Sequence, residues 1–225
     1  MKLDVCSFEA AKAAVMRWHY SRCMPSGKLL RFGVWGGDDD SRFDGVVLYG
    51  RGASLPLYKS FGAKQTELVE LVRVALRDAD ERDYPTSRVV ATSLRLLRKT
   101  NPGVGLVVSF ADFHAQGHPG TIYQATNWLY LGKTGAAHYF DKRTGALVHS
   151  RTVGTWAPAD PRRKSIEKRV APKYRYAYPF TKAWAKKLAP KAQPYPTRES
   201  PVGESGIQPG TGGSSPTLAL HPDRS

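Results

Sequence analysis

A chain of 225 residues, 41% apolar and 11% aromatic, can build one domain with a hydrophobic core and an appendage. No run nears the ~18 apolar residues of a membrane span, MKLDVCSFEAAK lacks the apolar core of a secretory signal, and Cys6 and Cys23 cannot form a disulfide framework, so a cytosolic chain with reduced thiols is expected. The net charge of +15 is uneven, with +6 in residues 1–150, +10 in 151–200 and −1 in 201–225; the basic segment has no sustained apolar helical face and points to a polyanion rather than a membrane.

Leu3 and Val5 alternate with polar neighbours and predict a short first strand. Ser7 is an N-cap and Glu9 suits a first turn, so a helix runs from Phe8 to Trp18, with Phe8, Ala11, Val15 and Trp18 turned inward. Residues 31–35 and 46–52, separated by GGDDDSRFDG, read as a β-hairpin. Residues 67–76, ELVELVRVAL, read as a central strand buried on both faces. Pro85, Thr86 and Ser87 open a second helix that reaches Lys99, with Val90, Leu94 and Leu97 inward, and Asn101-Pro102-Gly103 stops it. Residues 103–110 form another buried strand, and after a polar loop a third helix covers 121–128. YLG, AAHYFD and ALVHS read as strands, the last pair turned by residues 141–145. From Thr155 the pattern dissolves into Pro, Lys and Arg, although YRYAYPF (174–180) suits docking onto the domain; residues from Ala189 are Pro-, Gly- and Ser-rich and read as disordered. The expected organisation is a catalytic domain over 1–155, a partly docked basic arm over 156–188 and a disordered tail over 189–225.

This order of elements resembles the GNAT fold of acyltransferases, an α/β fold with a mixed central sheet flanked by helices. In it two central strands splay apart and the acyl donor sits in the opening. Here the splayed pair would be 67–76 and 103–110.

Three polar clusters fall at element ends, where chemistry is usually presented. The first is His19-Tyr20-Ser21 with Lys28 behind it: an imidazole that exchanges protons near neutrality, a phenol, and a lysine suited to phosphate. A plain helix terminus explains the same residues, with His19 favourable against the C-terminal dipole. The second is Ser109-Phe110-Ala111-Asp112, a carboxylate just past the carboxyl end of a central strand, readable also as a loop cap. The third runs from His118 to Trp128. Gly120 would open the helix with its N–H groups facing any anion, and Tyr123 and Asn127, four apart, would share a face; amphipathic packing of Ile122 and Trp128 is the plainer alternative.

WHYSRCMPSGK (18–28), ELVELVRVAL (67–76), VVSFAD (107–112) and GTIYQATNWLYLG (120–132) together resemble the Mom family of phage proteins, over about residues 8–150. The resemblance implies a phage-encoded transferase, working in the host cytoplasm, that adds a carbamoylmethyl (acetamido) group to the exocyclic amine of adenine in double-stranded DNA and so shields it from restriction. It also implies catalytic roles for His19, Asp112 and Tyr123, with Tyr20, Ser21, Lys28, Ser109, Gly120 and Asn127 against the substrate. Aromatic candidates to receive an extruded base are Tyr20, Phe110, Phe113 and Tyr123, because the amine is paired inside the duplex. Arg22, Arg31, Arg51, Lys164 and Arg169 are candidate phosphate contacts.

Thr86, Ser87 and Arg88, at a helix start, are the candidate donor-binding residues. The connection before them, RDADERDYPTSR (77–88), lacks the glycines of an acyl-CoA pyrophosphate loop. The donor therefore stays open between acyl-CoA and an aminoacyl carrier such as tRNA. Two rival readings remain at this stage. Asp112, His114 and His118, with His19, carry donor atoms for iron or zinc in a metal-dependent enzyme. A non-enzymatic DNA-binding module explains the charge but not the clusters.

Overall fold

The computed structural model describes residues 1–51, 55–112, 119–135, 137–148, 150–170 and 172–196. Four strands open the main sheet: β1 (Lys2–Val5), β2 (Lys28–Gly36), β3 (Arg42–Arg51) and β4 (Leu68–Leu76), each antiparallel to the next. β5 (Leu106–Ala111) is parallel to β4. β6 (Leu129–Lys133) forms the far edge, and β10 (Tyr174–Pro179) inserts between β5 and β6, giving the order β1-β2-β3-β4-β5-β10-β6.

Two features of β4 create the site. It pairs with β5 only over Leu68–Glu70 against Leu106–Val108, although both strands run on, β4 along β3 and β5 along β10. The expected splayed pair is therefore present, and its opening starts at Glu70. The β3–β4 register also shifts, because Leu48 faces Arg73 while Tyr49 faces Leu71. Val72 is the extra residue of this bulge, and bulges re-aim side chains.

Helices cover both faces. α1 (Phe8–Trp18) is capped by Ser7, whose Oγ accepts from Ala10 N–H at 3.0 Å, and it buries Ala11, Ala14 and Val15 against Val46, Leu48 and Ala75. Phe8 was expected inward but points out, 46% exposed. α2 (Leu55–Phe61) and α6 (Lys182–Leu188) pack Tyr58, Phe61 and Leu188 on the same side against Leu68, Leu106 and Val108. α3 (Thr86–Thr100) covers the other face with Val90, Leu94 and Leu97, and its buried Ser93 hydroxyl is satisfied by Tyr49 at 2.7 Å. α2 and α6 were not foreseen.

The third expected helix is a single turn, α4 (Thr121–Gln124), because Asn127 adopts φ 59° and ends regular winding. Residues 156–188 are more than a docked arm. YRYAYP is β10 itself: Tyr174, Tyr176 and Tyr178 pack on one side and Ala177 on the other, the two-residue alternation of a strand. Between β6 and β10 the chain builds a second sheet, β8-β7-β9, from β7 (Ala137–Asp141), β8 (Leu147–Val148) and β9 (Ile166–Val170), with α5 (Ser150–Thr155) beside it. Residues 189–196 are also placed: Gln193 pairs with Tyr130 on edge strand β6, and Tyr195 Oη donates to Trp128 O at 2.8 Å. Among the described residues no helix is long and apolar enough to cross a membrane.

Candidate active site

A cavity of about 340 Å³ lies at the β4/β5 opening. β4 supplies Glu70 and Arg73 to its wall, β5 supplies Ser109 and Phe110, and α4 supplies Tyr123. His19 and Tyr20 enter from the end of α1, Thr86 from the start of α3, and Lys173 from the residue before β10. The volume is within the ~300–1,000 Å³ range of small-molecule sites.

The end of α1 is fixed from below. Asp44, fully buried on β3, accepts from Arg42 Nε at 2.7 Å, from Arg77 Nε at 3.2 Å and from the Tyr84 hydroxyl at 2.6 Å. Burial alone would push this carboxyl up, but the hydrogen bonds from Arg42 and Tyr84 and the arginine charges outweigh it and hold it below the usual range. Arg77 in turn lies 5.3 Å over the Trp18 ring. One carboxylate thus links the last residue of α1 to the segment that leads into α3.

His19 is 7% exposed, and its pKa falls to about 4, first through burial and then through the charge of Arg73. The imidazole is neutral at pH 7. Ser21 N–H donates to its Nδ1 at 3.1 Å, and the Ser21 hydroxyl lies 2.8 Å from the same atom. A backbone N–H can only donate, so Nδ1 is the acceptor and Nε2 carries the proton. His19 therefore offers a hydrogen-bond donor at Nε2.

Tyr123 is buried, stacked on Tyr176 at 4.9 Å and edge-on to Trp128 at 5.1 Å. Its hydroxyl and Ser109 Oγ are 2.8 Å apart, while Ser109 Oγ also donates to Leu71 O at 2.8 Å. Burial raises the phenol to about 12, with the nearby Tyr20 and Glu70 adding to the shift, so it keeps its proton.

Glu70 was missed from the sequence, as were Arg73 and Lys173. Burial lifts the Glu70 carboxyl above its ordinary range, and the charges of Arg73 and Lys173 only partly offset that. Its strand read as uniformly apolar; the available signal was a carboxylate and a guanidinium inside a central strand, where charge is costly unless used.

The other expected residues divide. Thr86 and Tyr20 line the cavity, Tyr20 as an exposed lip whose ring lies 4.4 Å from that of His19. Ser21 acts through His19. Asp112 is buried and does not line the cavity; it holds Lys173 Nζ at 3.1 Å, and Lys173 does. Of the three side chains to which the resemblance gives catalytic roles, His19 and Tyr123 line the cavity and Asp112 does not; the carboxylate in the lining is that of Glu70. Gly120 packs behind Tyr123, whereas Asn127 is exposed and left-handed and shares no face with it. Lys28 and Arg22 are exposed outside the cavity lining. Arg31 is engaged internally, donating to Cys6 O and Leu29 O at 3.3 Å each, and the backbone of Arg51 pairs with Lys28. Arg169, on β9, and Lys164, in the turn before it, are exposed. Phe113, His114 and His118 lie outside the described residues. Among the described residues no three His, Cys, Asp or Glu side chains gather to hold a metal.

The β4–α3 connection does not fit a coenzyme A diphosphate. Arg82 fills it, donating to Arg77 O at 2.8 Å, Tyr84 O at 3.1 Å and Thr86 Oγ1 at 3.2 Å, and the segment carries Asp78, Asp80, Glu81 and Asp83. Its carbonyls are turned toward a guanidinium, where diphosphate binding needs inward N–H groups and no acidic ring. Ser87 and Arg88 stand outside the cavity lining.

The profile of the Mom protein family matches residues 1–197. The chain belongs to the Mom protein family. A curated Mom-family relative, "Methylcarbamoylase mom" of Escherichia phage Mu, is 29% identical over 212 residues, covering 87% of this chain and 83% of its own. Among solved structures, aminoglycoside 6'-acetyltransferase type Ii aligns with a TM-score of 0.45 at 10% identity, covering 80% of this Mom-family chain and 98% of the other.

Proposed function

We propose that this chain is a transferase that places a carbamoylmethyl group on the exocyclic amine of adenine in double-stranded DNA. Family membership and the name of the phage Mu relative support the class of reaction. The observation that carries the chemistry is the content of one cavity: a proton-bearing imidazole, a protonated phenol and a carboxyl raised by burial, flanked by two cations.

The adenine must leave the stack to be reached, and Tyr20 at the lip offers its ring a stacking surface. Its amine is a weak nucleophile because the lone pair is delocalised into the ring. Its attack therefore depends on alignment and on removal of a proton as the new N–C bond forms and the bond from the transferred methylene carbon to the donor's leaving group breaks, the electron pair departing with the leaving group. Glu70 takes that proton in this reading; a carboxylate raised toward neutrality is a better base than an ordinary one. His19 Nε2–H donates to the amide oxygen of the incoming group, as a neutral imidazole donor can. With the Ser109 proton turned to Tyr123 Oη rather than to Leu71 O, the phenol O–H is free to donate from the opposite wall and to give its proton to the leaving group. Arg73 and Lys173 balance negative charge on the donor. No step runs through coenzyme A.

The test is nucleoside mass spectrometry on DNA from cells expressing the chain. The expected product is an adenine nucleoside heavier by one carbamoylmethyl group in place of a hydrogen. Glu70→Gln and Tyr123→Phe should lower its yield by about 10²-fold or more while duplex binding persists. Unmodified nucleosides from well-expressed wild-type protein, or full yield from Glu70→Gln, would overturn the reading.

A further inference from the structure

The sheet β8-β7-β9 adds little to the main core, yet it is firmly anchored beside the cavity. Thr134 N–H donates to Lys173 O at 2.9 Å and Lys173 N–H to Thr134 Oγ1 at 3.1 Å, closing its stem where β6 and β10 part. The same Lys173 lines the cavity and ion-pairs with Asp112. Whatever the small sheet grips is thus held at a fixed offset from the reacting groups.

Its cations divide into two sets. Arg162 is spent on Asp160, to which it donates at 2.6 Å, and Arg169 on Glu167 at 2.8 Å. Arg163 donates to three carbonyls, those of Val153, Trp156 and Ala157, and holds α5 against the turn that precedes β9. Arg143, Lys164 and Lys168 are exposed, and among the described residues no carboxylate forms an ion pair with them. The first set makes the sheet rigid. The second leaves exposed cations on it, Arg143 beside the Asp141 carboxylate and Lys164 and Lys168 with no ion pair among the described residues.

Lys142 N–H donates to Ser165 O at 2.8 Å and its Nζ to Lys164 O at 2.9 Å, which brings the turn carrying Arg143 and the turn carrying Lys164 to one end of the sheet, with Lys168 beside them on β9. Exposed cations gathered on a rigid support suit a polyanion. We propose that β8-β7-β9 is a duplex-holding clamp, in which Arg143, Lys164 and Lys168 contact backbone phosphates while the cavity receives only the extruded base. This rests on the reading above of DNA as the substrate.

Binding of the full chain to a labelled DNA duplex and to a structured RNA hairpin, across a salt series, tests the clamp. Replacing Arg143, Lys164 and Lys168 together by Ala should raise the duplex Kd by about tenfold or more and reduce the slope of log K against log salt by about 2.7, at ~0.9 per phosphate contact. Removing three exposed lysines elsewhere, Lys12, Lys99 and Lys191, should change Kd less than about threefold. A urea unfolding midpoint checks that each variant is folded. Should the triple variant unfold, Lys164→Gln with Lys168→Gln gives the same readout with a slope change of about 1.8. Equal weakening by both triples, or loss of RNA binding with duplex binding intact, overturns the clamp but not the transferase. A wild-type chain that does not bind duplex at low salt removes both.

Discussion

The Ser21 amide decides what His19 can do, because it holds Nδ1 as an acceptor and leaves the proton on Nε2. The same burial that lowers the imidazole to about 4 makes it a stability sensor. The unfolded chain takes up the proton near pH 6.5, the folded chain only near 4, so folding stability falls as pH drops through that window and is unaffected above it. The loss for this one group reaches about 3 kcal/mol when complete. Urea unfolding at about pH 7 and pH 4.5 should show His19→Gln losing less stability than wild type, since carboxylate effects are common to both; equal losses would contradict the buried, neutral imidazole. Residues of this kind were readable in the sequence because polar side chains at element ends stand out from their neighbours. His19, Ser109 and Tyr123 were found that way. Glu70 and Arg73 were not, since the apolar residues around them dominated the pattern of their strand and only the bulge at Val72 turns Arg73 toward the opening.

At the scale of elements, the strands and helices with a clear period were foreseen, and the splay of β4 from β5 was expected from the resemblance of their order to the GNAT fold. What escaped was anything whose pattern was overlaid by another signal. β10 alternates correctly, but its Lys- and Arg-rich surroundings read as an arm. α4 stops early because Asn127 is left-handed, which its sequence permits without requiring. α4 also starts from a strained place: Gly120 has φ +98°, and a Cβ there would lie 2.7 Å from Tyr176 Cε2 and 2.8 Å from Tyr123 Cδ2. The second contact falls on the ring that lines the cavity, and the first on Tyr176, against which that ring stacks. Gly120→Ala should therefore cost about 1–3 kcal/mol in urea unfolding and lower product yield by displacing Tyr123 from Ser109. Gly103→Ala, where a Cβ meets nothing within 4 Å and φ is ordinary, should cost no more than about 0.5 kcal/mol. Equal costs at the two glycines would refute the tight seat of Tyr123.

For the whole molecule, the question is where the folded body ends. Composition placed the boundary before Ala189, because Pro-rich sequence has few apolar groups to bury. Yet residues 192–196 close an edge: Gln193 N–H donates to Tyr130 O at 2.9 Å, its side chain covers Gly132, and Gln124 Nε2 reaches Pro196 O at 3.4 Å. β6 is the last strand of the main sheet, so this segment protects its backbone from pairing with other chains. Short polar stretches can be ordered this way by backbone hydrogen bonds alone, which hydropathy does not register. A chain cut after Pro196 keeps every contact just described and should match the full chain in urea unfolding to within about 0.5 kcal/mol. A chain cut after Leu188 leaves the carbonyls of Tyr130 and Trp128 without those donors and uncovers β6. It should lose about 2 kcal/mol or more, and light scattering should show self-association at concentrations where the longer chain stays monodisperse. If both truncated chains unfold together, β6 needs no cover and the body ends where composition put it.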